Sequence, residues 1–294
     1  MATRHRSSAL MASAASLLLV ARSFERVPSV SSFLFPYHGN MSPFGFRVSI
    51  SAPTRLLFSE TPNRPDEVAA DSPPQRHRIF CYGDSLTAGT SPPSMGEFPY
   101  GTHLERALGI IDDGPSSAAV RWLGLPGWTA TSLRDSLDAP NGLRTLLRRI
   151  HDSAGEPASL AVILAGTNDL AYEVESGPII EALSDLHKAA HGEGVRTMAV
   201  SIPSSGWQSV DDRARSMATE VNDALRRMCS KSGDGGLGGM ATFAEFPILG
   251  YEPGSGLWAP DGLHFSPEGY SCIGLGLAED VASALKCGVE TKKE

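Results

Sequence analysis

Long hydrophobic runs and paired cysteines are both missing from this sequence. None of its apolar stretches approaches the roughly 20 residues that a membrane-spanning helix needs. Its 294 residues include only four cysteines, at positions 81, 229, 272 and 287. They form no C-x-x-C pair, and their spacing fits neither a zinc knuckle nor a dense disulfide framework. We therefore expect no bound metal and cysteines packed as free thiols, with one disulfide as the alternative.

Basic residues are scarce outside the N-terminal segment. The net charge is -8, but residues 1–58 carry six arginines against a single acid, Glu25. Residues 77–294 carry 17 Lys and Arg against 28 Asp and Glu. Binding to nucleic acid or to an anionic membrane surface needs a basic footprint. The acidic main part of the chain therefore argues against both kinds of partner.

Composition divides the chain into four regions. Residues 1–58 are rich in Ser, Ala and Arg, which is typical of a disordered targeting segment. We expect a mitochondrial or plastid address, with a secretory signal or an untargeted cytoplasmic tail as alternatives. Residues 59–76 contain four prolines and are predicted to be a linker. Residues 77–287 are enough for one well-filled core, and 288–294 form a charged tail.

Within the predicted domain, short apolar runs alternate with amphipathic stretches. The predicted strands are residues 79–82, 118–123, 160–165, 196–202 and 240–245. Helical patterns include residues 179–190, 212–228 and 267–286, the last with Ser266 as its N-cap. Apolar strands that alternate with helices indicate a parallel sheet covered on both faces. The sequence thus predicts an α/β domain with three α/β/α layers.

Four polar or glycine-rich segments come after the predicted strands. They are residues 83–87 (GDSLT), 124–129 (GLPGWT), 166–169 (GTND) and 261–264 (DGLH). In open parallel sheets, ligands bind beyond the carboxyl ends of the strands. The four segments supply a hydroxyl, backbone N–H groups, an amide, an imidazole and a carboxylate. An acyl-transfer site requires this set of groups.

Taken in this order, the four segments resemble the sequence blocks of the GDSL/SGNH hydrolase family, over residues 77 to 287. The resemblance implies a flavodoxin-like, doubly wound sheet and hydrolysis of esters, thioesters or sugar acetates without a cofactor. It also implies an oxyanion hole made by the backbone N–H groups of Ser85 and Gly127 and the side-chain amide of Asn168. The bulky Trp128 departs from the family's usual second block, and we expect it to line or narrow the pocket.

The chemistry of acyl transfer assigns roles to three residues. Ser85 is the candidate nucleophile, and it needs a base because a serine hydroxyl is a poor nucleophile by itself. His264 is that base, and Asp261, three residues earlier, can orient its ring. The predicted activity is hydrolysis of a small-molecule, lipid or sugar ester. An acyltransferase with the same acyl-enzyme and a non-catalytic binding module on the same fold are the alternatives.

Other polar residues have a structural interpretation. Asp84 and Asp169 are expected to hold turns by Asx-type hydrogen bonds. His187 and His191 stand four residues apart on a predicted helix, a spacing that could share a metal. With no further ligand near them in the sequence, we expect them on a solvated helix face. Trp128, Trp207 and Trp258 could wall a substrate pocket or pack in the core.

Overall fold

A computed structural model of the protein describes residues 76–94, 96–111, 118–230, 236–237 and 239–287. The predicted targeting segment (1–58) and the charged tail (288–294) lie outside the described residues. So does the predicted linker (59–76), except for its last residue, Arg76.

Five parallel strands form one sheet in the order β2-β1-β3-β4-β5. They are β1 His77–Gly83, β2 Ala118–Gly124, β3 Leu160–Leu164, β4 Thr197–Val200 and β5 Ala241–Ala244. Each predicted strand is present, with its ends within about two residues of the predicted ones. All neighbouring strands are parallel, and this strand order is the flavodoxin-like, doubly wound one.

The described helices cover both faces of the sheet. They are α1 Ser85–Ala88, α2 Tyr100–Ile111, α3 Ala130–Asp135, α4 Leu143–Ala154, α5 Thr167–Ala171, α6 Ser176–Gly192, α7 Gly206–Val210, α8 Asp212–Cys229, α9 Pro267–Gly276 and α10 Ala278–Cys287. In the parts of the chain that the structure describes, no helix has both the length and the apolar character that crossing a membrane requires.

The last predicted helix is in fact two helices, α9 and α10. Ser266 caps α9 as predicted, since its hydroxyl accepts a hydrogen bond from the Gly269 N–H at 3.1 Å. The helix ends at Gly276, and Leu277 separates it from α10. Gly274 lies so close to α2 that a Cβ there would come within 2.4 Å of the Tyr100 carbonyl oxygen. Glycine permits this close packing, and it also lowers the helix propensity of the segment.

Successive side chains along each strand point to opposite faces of the sheet, and each face packs against its own hydrophobic core. In β1, Ile79 and Cys81 face the core that contains α2, α9 and α10. Phe80 and Tyr82 face the core that contains α3, α4, α6 and α8. The chain therefore forms the three-layer α/β/α arrangement that its apolar pattern predicts.

The described cysteines are free thiols, but only one of them is fully packed. Cys81 is completely buried, and burial raises its pKa to about 12. Cys229 is half-buried and Cys272 is exposed, so the expectation of packed thiols is wrong for Cys272. The side chain of Cys287 lies outside the described part of the chain.

Candidate active site

Ser85 stands at the first position of α1, immediately beyond the carboxyl end of β1. Asp84 caps this short helix, and its Oδ1 accepts a hydrogen bond from the Leu86 N–H at 2.9 Å. Gly83, the last residue of β1, has no room for a side chain, because a Cβ there would lie 1.9 Å from the Leu164 carbonyl oxygen. The glycine thus lets the ends of β1 and β3 come together directly beneath the serine, which is buried with 6% exposure.

A narrow loop between β5 and α9 carries Asp261 and His264. An antiparallel bridge between Trp258 and Phe265 closes the loop at its base. At its tip, Gly262 has a φ of +65°, a conformation that favours glycine. Asp261 Oδ1 accepts a hydrogen bond from the His264 N–H at 2.9 Å, so the carboxylate is fixed by its own turn.

The structure brings the three predicted residues Ser85, His264 and Asp261 into one hydrogen-bonded chain. His264 Nε2 lies 2.9 Å from Ser85 Oγ, and His264 Nδ1 lies 2.7 Å from Asp261 Oδ2. Burial disfavours the charged form of Asp261, but hydrogen bonds from the His264 ring and from backbone N–H groups hold its pKa below the ordinary value. An ionised carboxylate can only accept, so Nδ1 carries the proton and Nε2 is left to accept from the Ser85 hydroxyl.

The three predicted oxyanion-hole residues follow the ends of β1, β2 and β3, which are neighbours in the sheet. Gly127 has a φ of +80°, and a Cβ there would meet nothing within 4 Å, so the space beside it is open. The backbone N–H groups of Ser85 and Gly127 have no acceptor among the residues that the structure describes. Asn168 Nδ2 donates one hydrogen bond, to the Trp128 carbonyl oxygen at 2.8 Å. Its second N–H has no acceptor among the described residues, so each of the three residues offers a free donor.

The two buried aspartates of the site differ in what they hold. Asp84 makes the expected Asx-type contact with its own turn. Asp169 instead reaches a distant segment, because its Oδ2 accepts a hydrogen bond from the Ala130 N–H at 2.7 Å. Nothing in the sequence signals this contact, since the two residues are 39 positions apart.

The expectation that His187 and His191 lie on a solvated face is wrong. His187 is completely buried, because this face of α6 packs against β4. His187 Nδ1 and His191 Nε2 lie 2.7 and 2.9 Å from the Thr197 hydroxyl. Among the described residues, no group of three or more His, Cys, Asp or Glu side chains could hold a metal ion.

Each of the three tryptophans packs against a hydrophobic core. Trp128 and Trp207 are half-buried against the core on the α6 side of the sheet. Trp258 stacks on Phe265, with ring centroids 4.3 Å apart, and meets the edge of Tyr251 at 5.1 Å. Tyr251 also lies against Gly262, which supports the tip of the His264 loop. Sequence reasoning missed this role of Tyr251, which has no local motif.

A cavity of about 320 Å³ lies beyond the carboxyl ends of β4 and β5. Its lining includes Tyr251 but none of the predicted site residues. Much of its polar lining is already paired within the protein. Asn222, for example, both donates to and accepts from the backbone of Ile202. The cavity therefore adjoins the His264 loop without containing any of the predicted site residues.

Comparison with known proteins identifies the family. The GDSL-like Lipase/Acylhydrolase family matches the chain over residues 81–272. No protein of curated function shows a significant sequence match. The family match spans more than half of the chain, so it establishes membership.

Similar solved structures share the fold. The aryl esterase from M. smegmatis is 23% identical with a TM-score of 0.52, and the match covers 71% of this chain and 99% of that one. A carbohydrate acetylesterase family member from Sinorhizobium meliloti is 24% identical with a TM-score of 0.52, at 71% and 99% coverage. The Clostridium thermocellum family 3 carbohydrate esterase is 16% identical with a TM-score of 0.53, at 72% and 98% coverage. The family match and the shared fold together show that the chain belongs to the GDSL-like lipase/acylhydrolase family and is an ester-bond hydrolase with the SGNH hydrolase fold.

Proposed function

We propose that this protein hydrolyses carboxylic esters through an acyl-enzyme formed on Ser85. The observation that carries the proposal is the hydrogen-bonded chain from Ser85 Oγ through His264 to Asp261. As Oγ attacks the carbonyl carbon, His264 Nε2 takes the hydroxyl proton. The same nitrogen then gives that proton to the leaving alcohol. A water molecule, activated by His264 in turn, releases the acid and restores Ser85.

Asp261 supports this cycle without exchanging a proton. Its lowered pKa keeps the carboxylate ionised while the His264 ring takes up a positive charge. The contact from Asp261 Oδ2 to Nδ1 holds the tautomer that leaves Nε2 free to act as a base.

The free donors of Ser85, Gly127 and Asn168 would stabilise the negative charge on the carbonyl oxygen. They follow three adjacent strand ends, and none has to break an existing hydrogen bond in order to donate to the oxyanion. Losing one such donor in related chemistry typically lowers turnover by about 10²–10³-fold. We therefore assign the oxyanion hole to the backbone N–H groups of Ser85 and Gly127 and the amide of Asn168.

The substrate class depends on the acyl part and on the alcohol part of the ester, and both need to be tested. The similar structures are described as an aryl esterase and as carbohydrate acetylesterases, so phenolic esters and sugar acetates are the first substrates to test. An acyltransferase would use the same acyl-enzyme and differ only in the alcohol that accepts the acyl group. Product analysis with an added acceptor alcohol distinguishes the two reactions.

The test is hydrolysis of p-nitrophenyl esters from acetate to palmitate, and of a sugar acetate, by the full chain. We expect turnover by the wild type and a loss of at least about 10⁴-fold in Ser85→Ala, because the nucleophile is gone. Ser184→Ala, which removes another buried hydroxyl on α6, is the matched control and should keep full activity. Equal rates for wild type and Ser85→Ala would overturn the proposal. A folded wild type that turns over no ester and whose Ser85 escapes a fluorophosphonate probe would favour the binding module.

A further inference from the structure

We propose that Asp169 is a positioning residue that holds the oxyanion-hole loop, residues 125–130, in its working geometry. The inference rests on the proposed function, because it concerns the loop that carries the Gly127 donor. Asp169 lies next to Asn168 in α5, yet the two side chains contact different points of this loop.

The two contacts are hydrogen bonds to the residues on either side of Thr129. Asn168 Nδ2 donates to the Trp128 carbonyl oxygen at 2.8 Å. Asp169 Oδ2 accepts from the Ala130 N–H at 2.7 Å. One side chain thus donates to a loop carbonyl oxygen and its neighbour accepts from a loop N–H. Together the two contacts fix the position of the oxyanion-hole loop and the orientation of its peptide groups. The amide that donates to the loop is also the one assigned to the oxyanion hole, so a shift of the loop moves two donors together.

Gly127 lies in a turn that the Trp128 N–H closes by donating to the Leu125 carbonyl oxygen at 3.1 Å, and contacts at the two ends of the loop tie this turn to the rest of the site. A Cβ at this position would meet no atom within 4 Å, so one side of the residue is unpacked. Upstream, the Leu125 N–H donates to the Gly83 carbonyl oxygen at 2.9 Å, which ties the loop to β1. Downstream, the contacts from Asn168 and Asp169 supply the restraint. Catalytic donors need placement to within roughly 0.5 Å, so the downstream contacts matter for turnover.

Asp169 is also an unusually costly residue to place here. It is completely buried, and its Oδ1 has no hydrogen-bond partner in the described part of the chain. Burying a carboxylate with one oxygen unpaired is unfavourable unless the remaining contact is strong. Burial raises the pKa of Asp169, and hydrogen bonds from backbone N–H groups, that of Ala130 first, offset this effect only in part. The short bond to the Ala130 N–H, at the first turn of α3, is therefore the main compensating contact.

The test is a kinetic comparison of Asp169→Ala, Asp169→Asn, Asn168→Ala and the double variants in the full chain. Asp169→Ala should lower kcat by about 10²-fold, comparable to losing one donor, while KM stays within about threefold. Asp169→Asn keeps an oxygen that can accept from Ala130 and should recover most of the loss, to within about tenfold of wild type.

The double variants decide whether Asp169 acts through the oxyanion hole. If it does, Asp169→Ala should cost much less in the Asn168→Ala background than in the wild type, because the hole is already damaged. Losses that multiply would overturn the proposal, and so would a loss confined to KM. If Asp169→Ala does not fold, Asp169→Asn in the two backgrounds gives the same comparison.

Affinity for phenylboronic acid supplies a readout that a general loss of stability would not move. Its tetrahedral adduct on Ser85 places an oxygen in the hole, so its Ki should rise in parallel with the loss in kcat/KM. Gln208→Ala, which removes a buried hydrogen bond to the Pro203 carbonyl oxygen, is the control and should leave Ki unchanged. Should Ser85→Ala prove fully active, the proposed function fails as a whole. With Ser85→Ala inactive and an unchanged Ki in Asp169→Ala, only the role of Asp169 fails.

Discussion

Asp84 is a buried carboxyl group one residue before Ser85, and its environment makes it sensitive to pH. Burial raises its pKa to about 7, and its hydrogen bond from the Leu86 N–H and the nearby His264 only partly offset this effect. Its Oδ2 has no hydrogen-bond partner among the described residues. Below about pH 7 the folded protein therefore keeps Asp84 protonated, whereas the unfolded chain ionises it near its ordinary pKa of 3.8.

We expect Asp84→Asn to become more stabilising, relative to wild type, as the pH rises from 5 to 8. The pKa is higher in the folded state, so folded wild type binds more protons than the unfolded chain between these values and loses stability as pH rises. A pKa raised to about 7 corresponds to a relative change of about 2–3 kcal/mol between pH 5 and 8. The asparagine keeps the oxygen that accepts from Leu86 and carries no charge.

Urea unfolding of wild type and Asp84→Asn at both pH values measures this change. Leu86 remains capped in both proteins, so the local helix start is matched. A difference in the free energy of unfolding that is the same at pH 5 and pH 8 would contradict the expected ionisation of Asp84.

At the scale of secondary-structure elements, the contact between α6 and β4 contains two histidines that share one hydroxyl. The Thr197 hydroxyl has a single proton, so it donates to one ring and accepts from the other. The His191 ring also bonds to the Met240 backbone, which makes its other nitrogen the acceptor for Thr197. His187 Nε2 then has no proton and no partner within the described chain. Burial, with a contribution from His191, lowers the pKa of His187 to about 3.

We expect this contact to weaken the fold in acid. Because the folded pKa of His187 is lower than its ordinary value of 6.5, the unfolded chain takes up the proton first as the pH falls. The free energy of unfolding should therefore drop by about 2–3 kcal/mol between pH 7 and 4.5 from this residue alone. His187→Gln should flatten that part of the pH profile.

His151→Gln, at an exposed position on α4, is the matched control and should keep the wild-type profile. Chemical unfolding at a series of pH values between 4.5 and 7 provides the measurement. An acid profile in His187→Gln that is as steep as in the wild type would show that other groups set the acid limit.

At the scale of the whole molecule, the charge balance bears on the choice of substrate. Residues 77–294, which contain all the proposed site residues, carry 17 basic and 28 acidic side chains. The ion pairs on the surface leave this excess of negative charge in place, because each pairs one acid with one base. A net negative surface charge repels anionic ligands over about a Debye length, and salt screens the effect.

We therefore expect kcat/KM for an anionic ester, the p-nitrophenyl monoester of succinic acid, to rise with ionic strength. Raising NaCl from 20 to 500 mM should increase it by roughly twofold to tenfold, since the repulsion is screened. The neutral p-nitrophenyl acetate is the control and should change little. Equal responses of the two esters would show that the overall charge does not reach the site.

Much of this protein could be read from local sequence. The apolar runs that become β1, β3 and β4 are buried on both sides, which gives them a signature independent of their partners. The bond between Asp261 and His264 spans three positions and is formed within one turn, so spacing alone could suggest it. Ser85 and His264 are 179 positions apart, and only their place in the ordered set of motifs linked them before the fold was known.

Tertiary packing decided the rest. The i, i+4 spacing of His187 and His191 is the same on a solvated and on a buried face, and only the packing of α6 on β4 determines which one it is. The close approach of α9 to α2 at Gly274 also exists only in the packed structure. The contact between Asp169 and Ala130 forms because β2 and β3 flank β1, which brings the segments that follow their carboxyl ends close together. The sequence by itself determined which groups were available and the order of the elements that carry them. The fold determined which of those groups meet, because contacts across tens of residues exist only once the layers have packed.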